Sequence, residues 1–110
     1  MGKQSEARLQ QEIIMWWHNT YPQYRGLLCY NLNNSVGGKR GNDNKFLGLV
    51  AGRSDLVLYF NKKAYMIELK NEIGRQKPAQ LKWQTLIESQ GFEYVIIRTL
   101  EDFKKYIEKL

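Results

Sequence analysis

The stretch SDLVLYFNKKAYMIELK, residues 54–70, contains two apolar segments separated by a polar turn. Val, Tyr, Phe, Ile and Leu dominate both segments, which is typical of the strands of a β-hairpin. We predict strands over residues 55–60 and 64–70, with the turn at residues 61–63. The open end of this apolar hairpin carries charged residues: Asp55, Glu68 and Lys70. Buried charges are costly, so these groups need either solvent or a chemical function.

The length of the turn decides which charged residues face each other. Side chains alternate along a strand, so Glu68 and Lys70 project to the same face of the sheet. If residues 61–62 form the turn, Asp55 lies opposite Glu68, and if residues 62–63 form it, Asp55 lies opposite Lys70. In both registers Asp55 shares their face. A three-residue loop would place it on the other face unless a bulge intervenes.

Carboxylates that face each other across two strands repel, and one of them takes up a proton unless a cation lies between them. Mg²⁺ binds hard oxygen ligands, commonly one or two carboxylates together with water and phosphate oxygens. The Lys70 ammonium would neutralise a phosphate or hold a water molecule as it loses a proton. This pattern indicates a cation pocket that faces the solvent, where activated water attacks a phosphodiester. A solvated strand face is the alternative, and the conjunction of all three groups with a basic chain favours the chemical interpretation.

The composition narrows the class of protein. The 110 residues suffice for one small domain, which we predict over residues 1–110. The chain carries 17 Lys and Arg against 11 Asp and Glu, and its net charge of +6 suits an anionic partner such as nucleic acid. A basic protein without such a partner is the alternative. The single Cys29 and single His18 leave little material for a zinc site or a His-activated nucleophile.

The sequence also bears on location. The chain has no apolar run long enough for a transmembrane helix, and its N-terminus lacks the apolar segment of a secretory signal. A single cysteine suits a reducing compartment. We therefore expect a cytoplasmic protein without a membrane partner or a small-molecule cofactor.

Helical and strand patterns alternate along the chain. Apolar residues at helical spacing predict a first helix over residues 4–19, with Ser5 as its N-cap. Pro78 opens a second helix that Gly91 ends, and Thr99 caps a third. We predict further strands over residues 27–32 and 92–98 and a long loop over residues 33–45. The order α-β-β-β-α-β-α predicts an α/β fold with a mixed central sheet, because the second helix joins two parallel strands.

The hairpin and its surroundings resemble a known group. Asp55 followed by IELK, residues 67–70, is similar to the motif of PD-(D/E)XK nucleases, and the element order matches their core. The closer resemblance is to the virus-type replication-repair nuclease domain (VRR-NUC). It rests on GLVAGRSDLVL, MIELK, GRQKPAQLKW and GFEYVIIR, which together lie within residues 48–98. One departure is Ser54, where that family usually has Pro, and we expect serine to leave the backbone there freer than proline would.

The resemblance implies a role for each charged residue of the hairpin. Asp55 and Glu68 would be metal ligands, with the backbone carbonyl of Leu69 as a third ligand and Lys70 as the catalytic lysine. Mg²⁺ is the implied metal, and Mn²⁺ is a plausible substitute.

The same resemblance extends the site beyond the hairpin. Gln80, early in the second helix, matches the family's glutamine, which helps to position the site. A Glu on the first helix is implied near the metal, for which Glu6 is the first candidate and Glu12 the second. Basic residues flank the site in loops and are candidate phosphate contacts: Lys39, Arg40, Arg53, Arg75 and Lys77.

The implied activity is a Mg²⁺-dependent endonuclease acting on DNA in a bacterial or phage-infected cell. Short stand-alone members of the family resemble junction resolvases, so we expect a homodimer and a branched substrate such as a four-way (Holliday) junction, with a role in DNA repair. One of the adjacent Trp16 and Trp17 would lie in the core, and the other would either stack on a base or lie in the dimer interface, which we favour. The rival interpretations are a non-catalytic nucleic-acid-binding module with a nuclease-like fold and a nuclease subunit that needs a targeting partner.

Overall fold

A computed structural model describes residues 4–32 and 46–110 of the chain. Within these ranges the elements are, in order, α1 (Glu6–Thr20), a 3-10 helix (Pro22–Leu27), β1 (Leu28–Tyr30), β2 (Leu56–Phe60), β3 (Lys63–Leu69), α2 (Pro78–Ser89), β4 (Glu93–Ile97) and α3 (Leu100–Glu108). The predicted α-β-β-β-α-β-α order is thus confirmed. The predicted loop over residues 33–45 lies outside the described residues.

The hairpin turn consists of two residues, Asn61 and Lys62, whose φ angles are 52° and 65°. Positive φ at both central residues defines a type I′ turn, which suits the twist of paired strands. The antiparallel register of β2 and β3 pairs Leu56 with Ile67. One step beyond this pair, Asp55 lies opposite Glu68, as the first of the two predicted registers requires.

The sheet has the order β1-β2-β3-β4, and β3 pairs with β4 in parallel. Parallel neighbours need a crossover connection, and α2 supplies it. Pro78 is its first residue, where a missing N–H costs nothing, and Gly91 follows its end with a φ of 87°. The predicted parallel pair is therefore confirmed. Val95 and Ile96 are only half-buried, because β4 is an edge strand of this sheet.

The two faces of the sheet carry different layers. The first face packs against α1 and α3, and its core consists of buried apolar residues: Leu9, Ile13, Trp17, Leu28, Leu56, Leu58, Tyr65, Ile67, Leu69, Ile97 and Phe103. The second face packs against α2 in a smaller cluster of Val57, Met66, Trp83 and Tyr94. Alternation along β2 and β3 sends successive side chains to these two faces. Asp55, Glu68 and Lys70 belong to the second face.

The helix ends agree with the predicted caps. Ser5 Oγ accepts a hydrogen bond from the Arg8 N–H at 3.1 Å, and Thr99 Oγ1 accepts one from the Asp102 N–H at 3.0 Å. Trp17 is buried in the core as expected of one tryptophan. Trp16 is half-buried against the edge of the Phe103 ring, so it packs within the chain. None of the helices in the described ranges has the length and apolar character needed to cross a bilayer.

Candidate active site

Asp55 and Glu68 meet at the open end of the hairpin. Asp55 lies directly before β2, and Glu68 is the last residue but one of β3. Asp55 Oδ2 accepts a hydrogen bond of 2.7 Å from the Leu69 N–H, which ties this carboxylate to the neighbouring strand. The hairpin therefore brings together the acids that the sequence pattern predicted and fixes one of them by its own backbone.

The backbone before β2 is held by its neighbours. Asn31, just after β1, donates its N–H to the Asp55 carbonyl at 2.8 Å and its Nδ2 to the Ser54 carbonyl at 3.2 Å. Ser54 is fully buried, and its Oγ donates to the Leu56 carbonyl at 3.0 Å. We expected Ser54 to leave the backbone freer than a proline would, and these hydrogen bonds restrain it instead.

Glu68 is the centre of the site. Its Oε2 accepts a hydrogen bond from Gln80 Nε2 at 3.0 Å and lies 3.9 Å from Lys70 Nζ. Its Oε1 accepts a hydrogen bond from the Tyr94 hydroxyl at 3.4 Å. We expected a cation pocket that faces the solvent, yet Glu68 is only 1% exposed and Lys70 only 4%. The charges at the end of the hairpin thus have partners in place of solvent.

The surroundings of Glu68 change its protonation. Burial, followed by the charge of and hydrogen bonding with Asp55, raises the pKa of Glu68 from 4.5 to about 8. The Lys70 ammonium acts in the opposite direction and lowers this pKa, and Glu6 raises it slightly. The surroundings therefore oppose the ionisation of Glu68 beside Asp55, and a bound cation would favour it.

Gln80 lies in the first turn of α2, and both polar atoms of its side-chain amide form hydrogen bonds. Its Oε1 accepts the Lys77 N–H at 2.8 Å, while its Nε2 binds Glu68. Gly52 allows this arrangement, because a Cβ there would lie 2.2 Å from the Ala79 carbonyl oxygen, and its φ is 84°. Only glycine lets the segment before Asp55 contact the start of α2 so closely.

Lys70 follows β3 and starts a tightly held turn. Its N–H donates to the Ile97 carbonyl at 3.1 Å, which extends the pairing of β3 with β4. Arg98 Nη1 donates to the carbonyl oxygens of Asn71 at 2.9 Å and Gly74 at 2.7 Å. Arg98 therefore restrains the backbone next to Lys70, a role that the sequence pattern did not reveal.

The two candidate acids of α1 differ in their contacts. Glu6 is exposed at the start of the helix and acts electrostatically on Glu68. Glu12 lies one turn after Arg8 on α1 and forms an ion pair with it at 3.7 Å. Glu6 therefore remains the better candidate.

Across residues 4–32 and 46–110, no three His, Cys, Asp or Glu residues form a group that could hold a metal ion.

The remaining donors fit a divalent cation of the hard type. They are the carboxylates of Asp55 and Glu68, which are oxygen ligands, and the resemblance adds the backbone carbonyl of Leu69 as a third. Burial is the largest cause of the raised pKa of Glu68 and Asp55 adds to it, and a bound cation would oppose both effects.

The predicted phosphate contacts are distributed around this end of the sheet. Arg75 and Lys77 are exposed in the connection between β3 and α2, and Arg53 is half-buried before Ser54. Lys39 and Arg40 lie outside the described residues.

Sequence reasoning missed the residues beside Glu68 on β4 and in the approach to α2. The Tyr94 hydroxyl accepts a hydrogen bond from Gln76 Nε2 at 3.3 Å, and the same nitrogen donates to Gln84 Oε1 at 2.6 Å. Burial and the nearby Glu68 raise the pKa of Tyr94 above its usual value, while Gln76 lowers it. The phenol is therefore a donor at neutral pH. Strand periodicity places Tyr94 on the face of Glu68 only once the parallel register is known.

The comparisons with known proteins agree with this geometry. No family model and no curated protein matches the sequence. A solved structure described as "VRR_NUC domain protein" matches with a TM-score of 0.81 at 16% identity, covering 99% of this chain and 89% of that one. The chain has the fold of a VRR_NUC domain. A second structure, "VRR_NUC domain", matches with a TM-score of 0.60 at 16% identity over 96% of this chain and 97% of that one. The VRR_NUC fold was thus identified correctly from the sequence.

Proposed function

We propose that the chain is a divalent-cation-dependent endonuclease that hydrolyses DNA phosphodiester bonds. The observation that carries the proposal is the convergence of three side chains on one buried carboxylate, that of Glu68. Asp55 faces Glu68 across the hairpin, and Gln80 and Lys70 both contact Glu68 Oε2. A structural ion pair would need only one acid and one base, whereas two acids with an ammonium suit cation and phosphate chemistry. The VRR_NUC fold of the solved neighbours supports the same function.

Each residue has a distinct part in this reaction. Asp55, Glu68 and the Leu69 carbonyl would hold Mg²⁺ or Mn²⁺. When bound, the cation supplies positive charge beside the phosphate and makes water more acidic. The Lys70 ammonium lies next to the same carboxylate and stabilises the negative charge that develops on the phosphate oxygens. Gln80 keeps Glu68 in place by a hydrogen bond, and Glu6 contributes negative charge from α1.

The bond changes are those of a hydrolysis. A water oxygen forms a bond to phosphorus and gives up a proton, and the bond from phosphorus to the leaving sugar oxygen breaks. The leaving oxygen then takes up a proton from solvent. Arg53, Arg75 and Lys77 surround this end of the sheet and, with Lys39 and Arg40, would bind the flanking phosphates without reading the bases.

The finer specificity extends the proposal to branched DNA. Two copies of a small basic domain, each with one site, would place two cuts in a branched duplex. We therefore propose a homodimer acting on a structure such as a four-way junction, with a role in DNA repair. Sedimentation or light scattering measures the assembly directly, and a monomer at assay concentrations would contradict this part alone.

The experiment compares cleavage of linear duplex, flap and four-way junction DNA with Mg²⁺ or with EDTA. We expect cleavage only with Mg²⁺, and a loss of about 100-fold to 1,000-fold in Lys70→Ala. Lys63→Ala is the matched control, because Lys63 is exposed at the other end of β3. Cleavage that survives EDTA, or that Lys70→Ala leaves unchanged, rejects the proposal. Salt-sensitive binding without cleavage would instead indicate a binding module, and cleavage only after adding a partner would indicate a subunit.

A further inference from the structure

Behind Glu68 lies a chain of polar groups, which we call the Tyr94 chain and define as Gln84, Gln76 and Tyr94. Gln84 lies on α2 and Tyr94 on β4, and Gln76 lies in the connection before α2. The donor–acceptor distances are 2.6 Å from Gln76 Nε2 to Gln84 Oε1, 3.3 Å from Gln76 Nε2 to the Tyr94 hydroxyl, and 3.4 Å from that hydroxyl to Glu68 Oε1. All three residues are buried or half-buried.

Counting hydrogens gives this chain a direction. The amide nitrogen of Gln76 has two hydrogens, and its two contacts use both of them. The Tyr94 oxygen therefore accepts from Gln76, and its single hydrogen is left for Glu68 Oε1. The Tyr94 hydroxyl is therefore the group of this chain that donates a hydrogen bond to Glu68.

This donor complements the one on the other oxygen of Glu68. Gln80 Nε2 binds Oε2 at 3.0 Å, and the Tyr94 hydroxyl binds Oε1. Hydrogen bonds at both oxygens restrain rotation of the carboxylate about its last bond. Its two oxygens have about four acceptor positions together, so positions remain on both of them for a further ligand.

We propose that Tyr94, supported by Gln76 and Gln84, is a positioning residue that fixes the Glu68 carboxylate for cation binding. This inference rests on the proposed function. Packing alone does not account for the hydroxyl, because the tilted contact of the Tyr94 ring with Trp83, at 6.1 Å between centroids, would be kept by phenylalanine. Partners of this kind behind a ligand typically affect metal affinity by about 10-fold to 100-fold.

The test is the affinity for Mn²⁺ without DNA, measured by calorimetry on the wild type, Tyr94→Phe, Gln76→Leu and Tyr65→Phe. Tyr65→Phe is the matched control, because Tyr65 is equally buried but lies on the other face of the sheet. We expect binding about 10-fold weaker in Tyr94→Phe, a smaller loss in Gln76→Leu, and wild-type affinity in Tyr65→Phe. The double variant Tyr94→Phe with Gln76→Leu should bind no worse than Tyr94→Phe, because Gln76 acts through the hydroxyl.

Cleavage provides a second readout. Excess Mn²⁺ should restore the maximal rate of Tyr94→Phe while the Michaelis constant for DNA stays that of the wild type, and Lys70→Ala should show no such rescue. If Tyr94→Phe binds Mn²⁺ as tightly as Tyr65→Phe, or if the losses in the double variant add, the positioning role is rejected and the nuclease proposal stands. If the wild type neither binds Mn²⁺ nor cleaves DNA, both proposals fall.

Discussion

The two faces of the sheet are built from alternate residues of the same strands, yet they differ in chemistry. On the face covered by α1 and α3, Leu56, Leu58 and Ile67 are fully buried among apolar side chains. On the face covered by α2, the apolar cluster is small, and Glu68 and Lys70 are buried beside it. Burial on the first face releases apolar surface from water, whereas burial on the second opposes the ionisation of Glu68.

This difference suggests a division of labour. Burial of apolar residues on the first face stabilises the fold. This stabilisation offsets the cost of keeping two acids close together on the second face. Substitutions on the first face should therefore change stability and leave the chemistry of folded molecules unchanged. Substitutions on the second face should change the chemistry, and their effect on stability should depend on pH and on a bound cation.

The strongest challenge to this division is Phe103→Ala. Phe103 is fully buried and contacts the edges of Trp16 and Trp17, so its removal leaves a large cavity. We expect the free energy of unfolding to fall by about 3–5 kcal/mol, as urea denaturation would show. Cleavage per folded molecule, measured at low temperature, should match the wild type. A selective loss of cleavage would show that the two faces are not independent.

The pH dependence of stability tests the second face. The folded chain raises the pKa of Glu68 from 4.5 to about 8, so between these values it binds the proton more tightly than the unfolded chain does. Stability without metal should therefore fall as pH rises through this window, by on the order of a few kcal/mol in total. Thermal unfolding in EDTA at several pH values measures the effect.

Glu68→Gln is the control for this measurement, because it keeps the shape of the side chain and cannot titrate. The wild type should lose stability between pH 4.5 and about 8, and the variant should show little of this decrease. Mg²⁺ should restore stability to the wild type at the upper end of the window and have little effect on Glu68→Gln. An identical slope in both proteins would assign the pH dependence to other groups.

Gly52→Ala should disturb the contact between the segment before Asp55 and α2. The added Cβ meets the Ala79 carbonyl at 2.2 Å, and φ is 84°, so backbone must shift. We expect a loss of about 1–3 kcal/mol in stability together with reduced cleavage, because Gln80 moves with the helix. Gly26→Ala is the matched control, since its Cβ would meet open space among the described residues. Equal behaviour of the two variants would contradict the role of this contact.

The smallest expected effect is at the turn, far from the acids. Lys62 has a φ of 65°, which glycine adopts without strain. Lys62→Gly should therefore raise the free energy of unfolding by about 0.5–1 kcal/mol and leave cleavage unchanged. Chemical denaturation and the junction assay measure the two effects. A change in cleavage would mean that the turn takes part in substrate binding.

The sequence predicted the elements because their local signals agree. The apolar segments around residues 61–63, the cap at Ser5 and the prolyl start at Pro78 each match the structure. The register remained open between two alternatives, since both Asn-Lys and Lys-Lys can form a turn. The positive φ angles of Asn61 and Lys62 decide it, and a single sequence does not reveal backbone angles.

The parts of the candidate site that were missed depend on longer-range geometry. Tyr94 reads as one more residue of a buried strand, and its contact with Glu68 follows from the parallel pairing of Met66 with Tyr94. No turn connects these strands directly, so their register cannot be counted along the chain. Gln76 and Arg98 act through their contacts with other segments, which leave no periodic signal in the sequence.

The crossover through α2 also sets the order in which the site is assembled. A hairpin such as β2 and β3 forms within roughly 1–10 μs, whereas parallel strands must wait for the intervening chain to close. A newly made chain that has only the hairpin already has Asp55 beside Glu68, but Gln80 and Tyr94 have not yet arrived. The proposed site would then be completed last, when α2 and β4 join the hairpin.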